Sequence, residues 1–218
     1  MNVNQYQMQA TKTEKIIFGM GCFWSPDSLF GAQPGVIQTL TGFAGGTTSS
    51  PTYRSIGDHT ETIEVIFDPT ILSCADLLRL FWQSHDATKD RSYKERQYIS
   101  LLVLQNEEQK QIAEQVRTEE ETRQGRPIDT EVQLLTPFYP AEPHHQKYYL
   151  RRFKNATARI QSLFPTEEAF IQATISARLN GFVREKTKLP AIKEEIATWG
   201  LEEAAYQTLL DTLTQLKW

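Results

Sequence analysis

A short apolar run, Ile16-Ile17-Phe18, is followed by Gly19-Met20-Gly21 and then by Cys22-Phe23-Trp24-Ser25-Pro26. The run has the character of a buried strand, the glycines permit a sharp turn, and proline suits the opening of a helix. Strand, turn and helix therefore succeed one another, with Cys22 where the helix begins. The partial positive charge at a helix start favours the thiolate, the nucleophilic form, so a reactive cysteine is expected there. An inert buried thiol is the other reading. Phe23 and Trp24 can wall a small apolar pocket beside the sulfur or simply fill core.

Residues 36–40 read as a second strand, and 42–53 as an irregular loop with few backbone constraints, closing on Tyr53 as a surface packing residue or a hydroxyl donor. In the strand expected at 61–67, alternation puts Glu61 on the face of Ile63, Val65 and Phe67. A carboxyl at the lip of an apolar face is partly desolvated and keeps its proton towards neutrality, as a general acid must; a strand-end glutamate turned into water is the alternative. Ser73, with Asp76 three residues on, opens a helix with Cys74 in its first turn, a position that reads as structural. Residues 83–97 read as a charged surface loop, and 98–104 as a strand covered on both faces. A charged helix over 106–124, a strand over 131–135 and a proline-broken segment carrying His144-His145 follow. Solvation is expected for this histidine pair, and a base role beside Cys22 is the alternative.

Beyond Phe153 helices are expected over 162–179, 190–199 and 201–216, with no strands. Twenty-three basic against 27 acidic residues leave a net charge of -4, with no basic tract to suggest nucleic acid or a membrane surface. No apolar stretch approaches the roughly 20 residues of a membrane span, and no leader pattern appears, so a cytoplasmic protein is expected. Two cysteines make no disulfide framework, and the four histidines show no metal-ligand spacing.

Gly21-Cys22-Phe23-Trp24, Pro51-Thr52-Tyr53-Arg54, His59-Thr60-Glu61, Phe67-Asp68-Pro69, His85-Asp86, Gln97-Tyr98 and Pro140-Ala141-Glu142 with His145-Gln146 occur in one order. The series, from about residue 15 to 150, resembles the peptide-methionine (S)-S-oxide reductases, the MsrA family. The resemblance implies an α+β two-layer sandwich with a central mixed sheet, the ferredoxin-like fold of that family. It also implies Cys22 as nucleophile, Glu61 as proton donor, Tyr53 and Tyr98 as hydroxyls on the sulfoxide oxygen, and Phe23 and Trp24 around the substrate methyl group. No bound cofactor or metal is implied; the partners are methionine sulfoxide, free or in proteins, and an external thiol such as thioredoxin, glutaredoxin with glutathione, or dithiothreitol in vitro. The expected organisation is a flexible segment over 1–14, a catalytic domain over 15–154 and a helical C-terminal extension over 155–218.

The chain departs from the family pattern in three places. Tyr93 stands where an aspartate is usual, with Asp90 nearby; Asp27 replaces a glutamate; and the glycine-rich C-terminal segment with recycling cysteines is absent. A one-cysteine cycle completed by an outside thiol follows from the last. Two competing readings are a catalytically impaired module that binds oxidised methionine or a protein partner, and a Cys-His acyl-transfer enzyme using Cys22 with His144 or His145.

Overall fold

The computed structural model describes residues 6–88 and 96–218. The expectations for Asp90 and Tyr93 lie outside the described residues. Strands β1 (Glu14–Met20), β2 (Val36–Ala44), β3 (Thr60–Phe67), β4 (Ser100–Leu104), β5 (Glu131–Leu134) and β6 (Tyr139–Pro140) form one sheet in the order β5-β4-β1-β3-β2-β6. Among the described residues only the β4/β5 pairing is parallel, so the sheet is mixed.

One face carries Ile16, Phe18, Ile63, Val65, Phe67, Leu102 and Leu104, all buried. Against it pack helices α1 (Trp24–Gly31), α2 (Cys74–Gln83) and α3 (Glu107–Gln124), through Phe30, Leu77, Leu78, Phe81 and Val116 among others. The expected Ser73 cap is present, its hydroxyl accepting the Asp76 N–H; Asn106 caps α3, and Gly125 ends it in a left-handed conformation. The two-layer α+β expectation holds.

β2 runs four residues further than the pattern suggested. Gly42 is the reason: a Cβ there would lie 2.4 Å from the Tyr139 carbonyl oxygen, so only glycine admits the β6 pairing.

The C-terminal region is all helical, but its helices are cut differently from the expectation. The single helix foreseen over 162–179 is interrupted at Pro165, where Thr166 caps a new start, giving α6 (Glu167–Gln172) and α7 (Thr174–Phe182). Two further helices precede them, α4 (Tyr148–Arg151) and α5 (Lys154–Gln161), and α8 (Leu189–Ile196) and α9 (Glu203–Gln215) complete the chain. This region builds a second core from Leu150, Ile160, Phe170, Ile175, Leu179, Ile192, Ile196, Trp199, Leu209 and Leu213, which also takes in Ile37 of β2. Tyr6 and Met8, within the lead-in expected to be flexible, are buried there too, and the Gln9 N–H donates to the Trp199 carbonyl at 3.0 Å.

α7 lies hard against α1. A Cβ on Gly31 would sit 2.8 Å from the Ala177 carbonyl oxygen, and one on Gly181 would sit 2.8 Å from that of Ser28. The buried guanidinium of Arg178 donates to the Gly31 carbonyl at the end of α1 and to Val36, and is neutralised by Glu195 of α8 at 2.7 Å. The extension thus buttresses the helix that follows Cys22. No helix among the described residues is long and apolar enough to cross a membrane.

Candidate active site

The turn after β1 needs both glycines for different reasons. Gly21 has φ +97°, which side-chain-bearing residues rarely adopt, and a Cβ on Gly19 would meet Thr60 at 2.9 Å and Leu101 at 3.0 Å. The chain therefore turns directly beside β3, and α1 starts within reach of Glu61.

That helix start has no side-chain cap of its own. Instead the Phe23 N–H donates to Glu61 Oε2 at 3.1 Å, while the Trp24 N–H is directed at the Cys22 sulfur. The Glu61 side chain also accepts a hydrogen bond from Gln97 Nε2 at 2.7 Å and one from the Tyr98 hydroxyl. At 1% exposure it lies beneath the surface rather than in water, and burial raises its pKa despite these three donors. The alternation argument for Glu61 is borne out in position and in direction.

For Cys22 the direction is the opposite of the helix-start expectation. The residue is exposed, yet the protein packed around its sulfur and the nearby Glu61 charge raise the thiol pKa, with only the Trp24 N–H opposing them. One amide at a short helix start does not outweigh desolvation and a neighbouring carboxylate. The phenols of Tyr53 and Tyr98 are likewise pushed up, by partial burial and the charges of Glu61 and Cys22, so they remain hydroxyl donors at neutral pH.

An aromatic box adjoins the thiol. The Phe23 ring, 1% exposed, lies 6.4 Å from Trp24, 6.3 Å from Tyr53 and 5.5 Å from His145, centroid to centroid. Trp24 stacks on Tyr148 at 3.8 Å, and Tyr53 lies 4.3 Å from His145. His145 is buried, contrary to the solvation expected of it; neither ring nitrogen has a hydrogen-bond partner among the described residues, and burial lowers its pKa. It serves as a neutral aromatic wall. His144 remains exposed, as expected.

The loop before β3 is far from unconstrained. Asp58 accepts the N–H and hydroxyl groups of both Thr47 and Thr48, which hold its carboxyl well below the usual range. The His59 ring takes the Gly46 N–H on Nδ1 and donates from Nε2 to the Thr48 carbonyl at 2.7 Å. Arg96 donates to the Gly45 and Asp58 carbonyls while pairing with Glu131, and the Tyr53 N–H reaches Glu142 at 3.3 Å. Tyr53 thus hangs from a clamped loop. None of these clamps was visible in the linear sequence except as polar residues around the motif.

Asp27, the shorter acid, lies in the first turn of α1 and is fully buried, 3.0 Å from the equally buried Lys147 ammonium. The Thr39 hydroxyl, Asn180 Nδ2 and the Lys147 N–H complete its shell. Cys74 is buried in α2, its thiol pushed up to about 12 by burial and by Glu14 and Glu108.

A mixed sheet packed against helices brings together a thiol, a carboxyl with a raised pKa, two phenols and an aromatic box, an arrangement suited to thiol chemistry on a small hydrogen-bonded group beside an apolar surface. The comparisons identify that chemistry. The family model described as Peptide methionine sulfoxide reductase matches residues 14–178, and the chain belongs to that family. It is 42% identical over 185 residues to the Peptide methionine sulfoxide reductase of Drosophila melanogaster, covering 84% of this chain and 74% of that one. It is 40% identical over 149 residues to MsrA of Methanococcus maripaludis, covering 65% and 95%. Among solved structures it is similar to methionine sulfoxide reductase A of Corynebacterium diphtheriae, at 31% identity and a TM-score of 0.56, covering 65% of this chain and 76% of that one. The protein is an oxidoreductase that reduces methionine sulfoxide at the expense of thiols.

Proposed function

We propose that the substrate is the S epimer of methionine sulfoxide, that Cys22 is the nucleophile and that Glu61 supplies the proton. The observation that carries this is Glu61 itself: a buried carboxyl of raised pKa, tied through the Phe23 N–H to the turn that holds the thiol. A sulfoxide sulfur becomes electrophilic only as its oxygen is protonated or strongly hydrogen-bonded. Glu61 protonates that oxygen, Tyr53 and Tyr98 donate to it, and the methyl group rests against Phe23 and Trp24. The Cys22 thiolate attacks the sulfur, the hydroxyl passes to Cys22 as a sulfenic acid, and methionine leaves with its lone pair restored; a proton from solvent, the one given up when the thiol ionised, returns Glu61 to its neutral form.

A single-turnover assay tests this. Reduced protein mixed with each separated epimer of an acetylated methionine sulfoxide is expected to give about one methionine per Cys22 from the S epimer and none from the R epimer. A folded protein that yields none from either is a binding module instead.

The sulfenic acid is cleared by a thiol from outside the chain, because Cys74 is buried and holds its proton too firmly to attack. Cys74→Ser is therefore expected to leave turnover with dithiothreitol unchanged, measured by methionine release per folded protein. Loss of most of the turnover assigns Cys74 a recycling role.

A further inference from the structure

Cys22 faces a second space. An open groove of about 470 Å³ runs from the thiol past Met20, Gly21, Ser25 and Pro26 to Ser84 and Lys186. Phe23, Trp24, Tyr53, Tyr98 and Glu61 do not line it, so it reaches Cys22 without involving the oxygen-binding groups.

The extension builds its far wall. Close packing of Gly181 on Ser28 and Ala32 carries the end of α7 along α1, and Glu185, in the left-handed region at φ 58°, turns the chain back so that the Lys186 N–H donates to the Gly181 carbonyl at 3.0 Å. The neighbouring Arg184 guanidinium lies 4.4 Å over the Tyr149 ring, whose hydroxyl is 3.1 Å from Ser25 Oγ. The exposed Lys186 ammonium has no ion pair among the described residues. A fixed turn thus sets a cation and two serine hydroxyls around an exposed sulfur.

We propose that this groove binds the reductant, a low-molecular-weight thiol bearing carboxylates, of the glutathione class, with Lys186 holding a carboxylate. The inference rests on the sulfenic-acid cycle proposed above. Displacement at a sulfenic sulfur proceeds opposite its leaving hydroxyl; in the cycle proposed above Glu61 protonates that hydroxyl, which departs as water, so the incoming thiol needs a space that Glu61 does not line, and the groove is such a space. One thiol forms a mixed disulfide with Cys22 and releases water. A second thiol attacks the bound thiol's sulfur, freeing the Cys22 thiolate and a symmetrical disulfide. Two thiols are oxidised and the sulfenic sulfur is reduced by two electrons. The groove's volume falls within the roughly 300–1,000 Å³ of small-molecule pockets, whereas a protein reductant docks over a broad surface.

The test uses the full chain with its sulfenic acid made by one equivalent of hydrogen peroxide, so it does not depend on sulfoxide reduction. Stopped-flow rates are compared for glutathione and for its dialkyl ester, which keeps the thiol and loses the carboxylates. Glutathione is expected to react faster at low salt, and in Lys186→Glu the ratio of the two rates is expected to fall about fivefold or more, the effect of reversing one exposed charge, with Lys186→Arg restoring it. A ratio that does not move overturns the proposal. So does a Lys186→Glu effect seen only with sulfoxide peptides carrying acidic flanks, which gives the groove to the substrate, and so does reduction by a thioredoxin-type protein with no measurable reaction of small thiols. A sulfenic acid that forms with peroxide but never with sulfoxide removes the reductase reading and leaves the groove measurement standing.

Discussion

Glu61→Gln is expected to lower the single-turnover rate of S-sulfoxide reduction near neutral pH by about a thousandfold, within the range for loss of a positioned general acid. Tyr53→Phe and Tyr98→Phe each remove one hydrogen-bond donor and are expected to cost about a hundredfold or less. The pH profile separates an acid from a merely structural carboxyl. The productive state needs Glu61 protonated and Cys22 ionised, and both groups have raised pKa values, Glu61 by burial and Cys22 by burial and the Glu61 charge. Below the Glu61 pKa the rate rises with pH as thiolate accumulates. Between the two pKa values the loss of acid cancels the gain of thiolate and the rate is level; above the Cys22 pKa it falls. In Glu61→Gln the level region is expected to vanish, the rate climbing continuously until Cys22 has ionised. A variant that keeps the level region shows that another group supplies the proton.

The residues of this chemistry were legible where a local pattern fixes them. Gly19-Met20-Gly21 after an apolar run dictates the turn that presents Cys22, and period-two alternation alone puts Glu61 with Ile63, Val65 and Phe67. What was hidden depends on partners distant in sequence. The ionisation of Cys22 turns on Glu61, brought beside it by the β1/β3 pairing, and on packing around the sulfur, neither of which a helix-start argument contains. The loop carrying Tyr53 looked unconstrained because Thr47, Thr48, Asp58, His59 and Arg96 read separately as ordinary polar residues; their mutual hydrogen bonds make the clamp. His145 looked like a solvated loop histidine until Phe23, Trp24 and Tyr53 closed around it. Periodicity also ran α6 into the turn before it, because the Pro165-Thr166 break is a single event inside an apolar pattern.

Asp27→Ala is expected to be the most destabilising of the substitutions considered, at about 3–5 kcal/mol, the range for removing one partner of a buried ion pair. The pair is 3.0 Å apart with both side chains fully buried, so removal of the carboxylate strands the Lys147 ammonium without its counter-charge. The Asn180 amide and the Lys147 N–H lose an acceptor at the same time. At about 2–4 °C per kcal/mol for a chain of this size, the midpoint of thermal unfolding is expected to fall by about 10 °C. The sign of its pH dependence identifies the cause. Burial depresses the Lys147 pKa and Asp27 opposes that depression, so without Asp27 the folded lysine is driven further towards the neutral amine. The unfolded lysine keeps its ordinary high pKa and binds more protons than the folded one, so the stability of Asp27→Ala rises with pH in this window. Its deficit relative to the parent protein is therefore expected to shrink between pH 6 and 9 in denaturant titrations. Lys147→Met in the same background removes the stranded charge and is expected to recover part of the loss and to abolish the trend; a deficit that stays constant with pH means that lost packing and hydrogen bonds, rather than the buried ammonium, carry the effect.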